Sequence, residues 1–220
     1  MAKPARPKAK AGPTRKVKPK PRARSAKERL PAFDFDGLEA ALLDAARSAF
    51  AQLRANNPRH HFYCMALYTA GELGYVAPTA MSEEGLAEVV ASYRKKPRYA
   101  SKTDEELAAS LRWSPGDSPH HDECDFEGVN DRMNELALVL RGIDVTTDRP
   151  RFDALVARTH EVFYRVLHQL DQEGCFGTGP ERDQIFISMM MGDQDRSVLT
   201  LGERLNPQAS FRRYRDQAWK

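Results

Sequence analysis

The chain has 220 residues, with 34 Lys or Arg against 31 Asp or Glu, and three cysteines. This length suits one domain with an appendage, and such a domain needs no disulfide or metal to be stable. The cysteine number is odd and no apolar run reaches the roughly 18 residues of a spanning helix, which excludes disulfide-stapled and membrane-spanning classes. We read no signal peptide at the start, so we expect a reducing, cytoplasmic compartment and no membrane contact.

Charge is divided unevenly along the chain. Residues 1–30 hold twelve basic residues and one acidic residue, which leaves 22 basic and 30 acidic residues for the remainder. Proline and like charges predict a disordered basic tail over 1–31, followed by a single globular domain over 32–220. The tail is a candidate arm for nonspecific nucleic acid, with its central basic residues being Arg15, Lys16, Lys18, Lys20, Arg22 and Arg24. The alternative is a solvated tail, arising from a misassigned start or lying on its own acidic domain.

The first predicted helix begins at Asp34 or Asp36 and ends at 56–58. The segment 60–70 follows, and its nearly unbroken apolar run suits a strand buried on both faces. A glycine turn then returns the chain as a second strand over 75–79, which predicts a hairpin. The apolar stripe of the first helix consists of Leu38, Leu42, Ala45, Ala49 and Leu53.

Local start and stop signals place the middle helices. Ser82 before two glutamates, and Thr103 in a capping-box pattern, each predict a helix N-terminus. Pro150 begins the longest predicted helix and Gly174 ends it, whereas the segment 112–123 has the composition of a polar loop. The buried stripes of the two later helices are Phe126, Val129, Met133, Leu136, Leu140 and Leu155, Val162, Phe163, Val166, Leu170.

The run 184–191 has the same apolar character as the segment 60–70, so we predict that the two strands lie side by side in one sheet. A glycine-rich turn over 174–179 should lead into the second of them. A short helix over 197–205 and an amphipathic turn or two over 211–219 complete the chain. Helices outnumber strands and separate them unevenly, which predicts an α+β fold: a small mixed or antiparallel sheet covered by helices.

Two adjacent histidine pairs, His60-His61 and His120-His121, are capable of binding a metal. Neighbouring residues of an extended chain point to opposite sides, so neither pair chelates an ion by itself. No Cys-x-x-Cys or His-Glu-x-x-His spacing occurs in the sequence. We therefore expect no metal and no cofactor, and we keep His120 and His121 of the polar loop as candidate binding residues.

Trp113 is the residue that stands out, since it is either the rim of a surface groove that anchors a partner or a plug in the core. Asp117, Asp193 and Asp195 are further candidate binding residues. Asp193 and Asp195 flank a strand end, where turn formation and capping of the following helix also explain them. The alternative is that they are carboxylates of an unrecognised hydrolase. No Gly-x-Ser-x-Gly nucleophile motif is present, and Cys64 sits in an apolar strand where a thiol is inert.

Several fragments in a fixed order are shared with one family. They are FYCMALYT after an amphipathic helix, VAPTAMSEEGL, LRWSPGDS, EGCFG, and ERDQIFISMMMGDQD followed by RLNP. Together they resemble the domain-of-unknown-function 4303 family of small bacterial proteins, from about Asp34 onward. The resemblance implies a cytoplasmic protein with no established activity and, in some relatives, immunity against a polymorphic toxin. It also implies an aromatic residue after Asp117, where this chain has Ser118 and Pro119. Asn206, at the break after the short helix over 197–205, is a further candidate binding residue.

The leading interpretation is a non-enzymatic interaction protein or immunity factor, whose acidic domain covers the cationic surface of a cognate toxin. Two alternatives stay open. One is a nucleic-acid-associated protein that binds through residues 1–30. The other is a hydrolase that uses Asp117, Asp193 and Asp195.

Overall fold

A computed structural model of the chain describes residues 32–70, 73–121, 125–192 and 195–219. The predicted tail over 1–31 lies outside the described residues. Within them the chain forms eight α-helices and four strands, so the predicted α+β class is confirmed. No helix in these ranges is both long and apolar enough to cross a bilayer. The elements are α1 (Phe35–Asn56), β1 (Phe62–Thr69), β2 (Val76–Ser82), α2 (Glu83–Arg94), α3 (Asp104–Leu111), β3 (His120–His121), α4 (Glu127–Arg141), α5 (Arg149–Gln172), α6 (Gly179–Arg182), β4 (Phe186–Met191), α7 (Arg196–Leu205) and α8 (Gln208–Ala218).

The four strands form one sheet in the order β3-β2-β1-β4. β1 and β2 pair antiparallel as the predicted hairpin, and β1 pairs in parallel with β4, with Cys64 opposite Phe186. The two apolar runs are therefore neighbours, as predicted. The sheet is mixed because the chain crosses over through several helices between β2 and β4, and a long crossover permits parallel pairing.

Alternate side chains of each strand point to opposite faces of the sheet. The face packed against α1, α4 and α5, called here the helical face, carries Met65, Leu67, Val76, Ala80, Ile187 and Met189. The opposite face, called here the aromatic face, carries Tyr63, Cys64, Ala66, Met81, Phe186 and Met190. A register shift between Phe62 and Cys64 is a bulge, and it brings two consecutive residues of β1 onto the aromatic face.

The larger core lies over the helical face. Phe163 of α5 and Met133 of α4 are fully buried there, and burial of such a side chain stabilises the fold by about 1.5–3 kcal/mol. The predicted stripe of α1 is correct except at one position, where Ala46 is buried and Ala45 is only half-buried. The reason is the helical period, which places position 46 in line with 42, 49 and 53. Leu155, near the start of α5, is also half-buried rather than inside.

Three helix starts use the predicted capping chemistry. The Asp34 side chain caps α1, rather than that of Asp36. Ser82 caps α2, and Thr103 forms a complete capping box with Glu106 at the start of α3. Each cap satisfies backbone N–H groups that the first turn leaves without partners, which contributes about 1 kcal/mol.

The structure corrects the prediction at three short segments. The predicted polar loop over 112–123 contains a 3₁₀ turn over Pro115–Asp117 and the strand β3, which pairs with β2. The turn over 174–179 leads into the one-turn helix α6 before the chain enters β4. The last helix, α8, is longer than the predicted turn or two. Tertiary pairing decides such short elements, because so few residues have no periodicity of their own.

A buried arginine joins the helices to the sheet. Arg182 is 8% exposed and donates to Oδ1 of Asp171, at the end of α5, at 2.5 Å. It also donates to the carbonyl oxygens of Ile185, before β4, at 2.7 Å and of Leu205, at the end of α7, at 2.9 Å. The guanidinium is thus supplied with a counter-charge and with acceptors, which a buried charge requires.

Candidate functional site

Trp113 lies on the aromatic face, in the turn that follows α3. Its ring meets the rings of Tyr63 and Tyr214 edge to face, with centroids 5.2 and 5.0 Å away, and Tyr214 stacks on Phe186 at 4.0 Å. Burial raises the pKa of Tyr214 to about 12. Trp113 itself is half-buried, so one side packs into this cluster while the other faces solvent. The ring combines features of both alternatives, groove rim and core plug, and its binding role stays a prediction.

A cavity of about 320 Å³ opens beside the Trp113 ring, at the carboxyl ends of β1 and β4. We call it the Trp113 groove. Its walls combine aromatic and methionine side chains with polar ones, among them Ser110, Ser114 and Gln217. Binding sites typically pair apolar surface with a few polar groups in this way. Gly192 lies at the edge of the groove, where an added Cβ would be 2.9 Å from the Tyr68 hydroxyl and would displace that side chain. The principal lining residues are Tyr68, Trp113, Met190, Met191, Tyr214 and Trp219.

Gln217 of α8 separates this groove from a second cavity. The Trp113 Nε1–H donates to Gln217 Oε1 at 3.1 Å, and Gln217 lines both cavities. The second cavity measures about 440 Å³ and lies near the amino ends of β1 and β4. We call it the arginine pocket, and its principal lining residues are His60, Phe62, Tyr63, Arg112, Gln184 and Arg213.

The two arginines of this pocket are held in different ways. Arg112 Nη2 donates to both carboxylate oxygens of Glu83, at 2.8 and 2.6 Å, and its guanidinium lies 4.5 Å from the centre of the Tyr63 ring. Arg213 donates to the side-chain oxygen of Gln184 at 2.9 Å and to the carbonyl oxygen of the same residue. Burial and the neighbouring Arg112 charge lower the pKa of Arg213. A carboxylate therefore neutralises one guanidinium, while the other contacts only neutral acceptors among the described residues.

The predicted site residues His120 and His121 lie in β3 rather than in a loop. His120 is 5% exposed, and its Nε2 lies 3.2 Å from Nδ1 of His60, which in turn lies 2.9 Å from the Ser82 hydroxyl. The His121 ring meets Tyr68 edge to face, with centroids 4.9 Å apart. The prediction of a polar loop is wrong here because β2 offers its backbone to this segment and makes it an edge strand.

His61 forms an ion pair at the start of α2. Its Nδ1 lies 2.5 Å from Oε1 of Glu84, whose other oxygen accepts the His61 backbone N–H at 2.7 Å. These hydrogen bonds raise the pKa of His61 and lower that of Glu84 to about 2. Among the described residues no three His, Cys, Asp or Glu side chains converge on one point.

The candidate carboxylates hold turns together. Asp117 accepts a hydrogen bond from the Tyr93 hydroxyl. Asp195 caps α7, and its Oδ1 accepts the backbone N–H of Ser197 at 2.7 Å and the hydroxyl at 2.5 Å, which lowers the pKa of Asp195. Asp193 lies outside the described residues. The two described carboxylates thus have the turn and capping contacts that their positions predict.

Asn206 follows α7 and pairs with the open side of β4. Its Oδ1 accepts the Ile187 backbone N–H at 2.7 Å, and its Nδ2 donates to the Ile187 carbonyl at 2.6 Å and to that of Gly202 at 2.8 Å. The side-chain amide thereby imitates a neighbouring strand. These bonds give Asn206 a structural role, and a ligand-binding role for it stays a prediction.

Two cysteines are described and both are reduced. Cys64 is fully buried beside Met190, with its Sγ 3.7 Å from the methionine sulfur, and burial raises its pKa. Cys175 is half-buried and its pKa is raised for the same reason. A thiol held in the protonated form is a poor nucleophile, so these environments disfavour cysteine chemistry.

Fold and site together define a class: an α+β domain with a mixed four-stranded sheet, whose aromatic face carries two open cavities. The chain belongs to the family described as domain of unknown function 4303, whose model matches residues 42–207. The resemblance seen in the sequence fragments is therefore confirmed at the level of the family. No curated protein and no solved structure matches the chain.

Sequence reasoning missed the arginine pocket. Arg213 and Gln217 lie beyond the matched range, in α8. They are four positions apart and so share one face of the helix, which is the signal that would have grouped them. Nothing in the sequence connects them with Arg112 or Gln184, which lie far away along the chain.

Proposed function

We propose that the protein is a non-enzymatic, cytoplasmic binding protein whose partner is a basic protein such as a cognate toxin. The observation that carries this proposal is the setting of Trp113, a half-buried tryptophan with a fixed ring at the wall of an open groove. Tryptophan is enriched among the few residues that supply most of the affinity of a protein interface.

The groove suits apolar side chains of a partner. Trp113, Trp219 and Tyr68 supply rigid aromatic area, while Met190 and Met191 have flexible thioether side chains that adapt to the shape they contact. The tyrosine O–H and tryptophan N–H groups of the groove can hydrogen-bond to water at the rim of an interface. Such a surface binds by burying these side chains, while Ser110, Ser114 and Gln217 offer polar contacts at the same groove.

Charge supports a basic partner. Beyond residue 30 the chain has 22 basic and 30 acidic residues, so the domain attracts cationic proteins and repels acidic ones. Toxins that act on nucleic acid are one class with cationic surfaces. The hydrolase alternative gains no support from Asp117 and Asp195, because both carboxylates accept structural hydrogen bonds. Those of Asp117 come from Tyr93 of α2 and from Ser114, and Asp195 caps α7 through Ser197.

A groove-blocking variant tests the proposal. Ser110 is exposed at the groove, so Ser110→Arg adds bulk and a charge that repels a basic partner, without entering the core. A photo-crosslinking residue at position 110 identifies the partner in the source cell, and calorimetry with the purified partner then measures affinity. We expect Ser110→Arg to weaken binding roughly tenfold or more. The matched control is Ser48→Arg, on the exposed side of α1, which should leave affinity nearly unchanged. Equal affinities of both variants would contradict the proposal, as would failure of the partner to be neutralised by the protein.

A second candidate function rests on the charge split. Twelve basic residues against one acidic residue in 1–30 favour binding to nucleic acid through phosphate contacts. The full chain should then bind a duplex of arbitrary sequence with an affinity that falls steeply as salt rises, and a chain of residues 32–220 should not. Equal binding by both chains would refute this candidate.

A further inference from the structure

The charges that line the arginine pocket balance with one exception. Every other charged side chain at its wall has an opposite charge at 2.5–2.6 Å, in the pairs Arg112–Glu83, Glu181–Arg54 and His61–Glu84. Arg213 is the exception. Among the residues that the structure describes it forms no ion pair, and its partners are two oxygens of Gln184.

The contacts of Arg213 orient its guanidinium and leave donors available. One N–H of Nη1 and one of Nη2 bind Gln184, so Nε–H and the second hydrogen of each Nη have no acceptor in the described part of the chain. A planar guanidinium with such donors is suited to bind two oxygens of one anion at once. The two bonds to Gln184 hold the plane in place before any ligand arrives, which lowers the entropic cost of binding.

An anion in the pocket would relieve an electrostatic cost. Burial and the nearby Arg112 lower the pKa of Arg213, and the Glu83 carboxylate, which is paired with Arg112, offsets only part of that effect. A partly desolvated cation without an ion-pair partner of its own is unfavourable, and a bound anion supplies that partner. The ion pair between Arg112 and Glu83 need not break, because Arg213 alone carries the excess charge.

The volume and the lining side chains of the pocket restrict the kind of anion that fits. A volume of about 440 Å³ is in the range of small-molecule sites, and the rings of His60, Phe62 and Tyr63 line it. These rings favour a ligand with a flat apolar body. One uncompensated positive charge matches one negative charge, which a carboxylate carries, whereas a phosphate monoester carries nearly two.

We propose that the arginine pocket is a binding site for small organic acids, in which Arg213 binds the carboxylate and the rings of Phe62 and Tyr63 contact a flat apolar body. The site is distinct from the Trp113 groove and does not depend on the protein partner proposed above. Gln217 and Trp113 stand between the two.

Benzoate is the probe for this site, with acetate and inorganic phosphate as comparison ligands. In the ¹⁵N-labelled full chain, benzoate should shift the backbone amides of Phe62, Tyr63 and Gln184 in a saturable manner, and acetate should bind more weakly because it lacks the ring. Arg213→Gln should weaken benzoate binding roughly 10- to 100-fold, the effect of losing a charge-assisted hydrogen-bond pair. The matched control is Arg212→Gln, since Arg212 is exposed on the same helix and does not line the pocket.

Arg213→Lys provides a second variant that keeps the charge and loses the planar fork. It should bind benzoate several-fold more weakly than the unchanged protein, and it tests the proposal even where the glutamine variant does not fold. Four results would overturn the proposal: no saturable shift, phosphate bound more tightly than benzoate, equal weakening by Arg212→Gln, or full affinity in Arg213→Lys. None of these results bears on the Trp113 groove.

Discussion

The two faces of the sheet come from the same strands and differ in what covers them. Over the helical face three helices close a continuous apolar core, and Met189 is fully buried within it. Over the aromatic face α8 and the turn that carries Trp113 cover the strands incompletely, and Met190, although 3% exposed, borders an open groove. Met189 and Met190 are neighbours in β4, yet the first lies in a closed core and the second beside an open groove.

This difference separates stability from binding within a single strand. Side chains alternate along a strand, so odd and even positions of one short segment can meet different requirements. A substitution on the helical face should act mainly on the free energy of unfolding. A substitution on the aromatic face should act mainly on what the cavities bind.

The strongest test of the comparison replaces the two neighbouring methionines in turn. Met189→Ala should lower the free energy of unfolding by about 3–4 kcal/mol, because it leaves a closed cavity in the core. Met190→Ala should lower it by about 2 kcal/mol, since water and groove side chains reach the space that is vacated. Urea unfolding followed by circular dichroism measures both values. Equal losses would show that the two faces are packed alike.

The next test concerns the buried charge on the helical side. Asp171→Ala leaves Arg182 without its counter-charge and should destabilise the protein by about 2–3 kcal/mol, below the cost at a fully enclosed site because Asp171 is partly exposed. The matched control, Asp183→Ala at an exposed position, should cost less than about 0.5 kcal/mol. Thermal unfolding of both variants distinguishes them. A loss at Asp171 no larger than the control would mean that the arginine does not depend on this ion pair.

A smaller effect is expected on the aromatic face itself. Gln217→Ala removes the hydrogen bond to Trp113 and should reduce stability by only about 0.5–1 kcal/mol. It should also make the Trp113 ring more accessible to acrylamide, measured by fluorescence in a Trp219→Phe background. Gln208→Ala, at the other end of the same helix, is the control and should change neither quantity. Unaltered quenching in Gln217→Ala would mean that the bond does not hold the ring.

The smallest effect is a shift of a single titration. The pKa of His61 is raised by Glu84, so their ion pair stabilises the fold below the ordinary pKa of histidine and is lost as the pH rises through the raised value. The pKa of Glu84 is about 2, so its contribution is lost only as the pH falls towards that value. Glu84→Gln should lower the pKa of His61 in an NMR titration, and Glu88→Gln on the same helix should not. An unmoved His61 would contradict the pairing.

Much of the fold was predictable because its signals are local. Ser82 and Thr103 cap their helices as their sequence patterns indicate, and the apolar runs of β1 and β4 are adjacent because each needs cover on both sides. The strand β3 was not predictable, since two histidines have no periodicity and the strand forms only because β2 offers an edge. The burial of Arg182 was hidden for a similar reason, as the acceptors that satisfy it come from three separate elements.

The site was predictable only in part. Trp113 stands out by residue type alone, and the structure places it at a groove. Asp117 and Asp195 also stand out, yet both carboxylates accept structural hydrogen bonds, from Tyr93 of α2 and from Ser197. For the arginine pocket, the sequence signal is limited to the four-residue spacing of Arg213 and Gln217. Arg213 contacts Gln184 from 29 residues away, and no pattern along the chain predicts that contact.

The side-chain amide of Asn206 affects how the edge strand β4 can pair with other strands. β4 is the last strand of the sheet, and its sequence, FISMMM, is apolar, uncharged and free of proline, which is the profile of a segment that recruits further strands from other molecules. Asn206 occupies the N–H and C=O of Ile187, so an approaching strand could not pair with β4 at that residue without displacing the amide. The side chain that follows α7 thus protects part of the sheet edge as well as joining the helix to the strand.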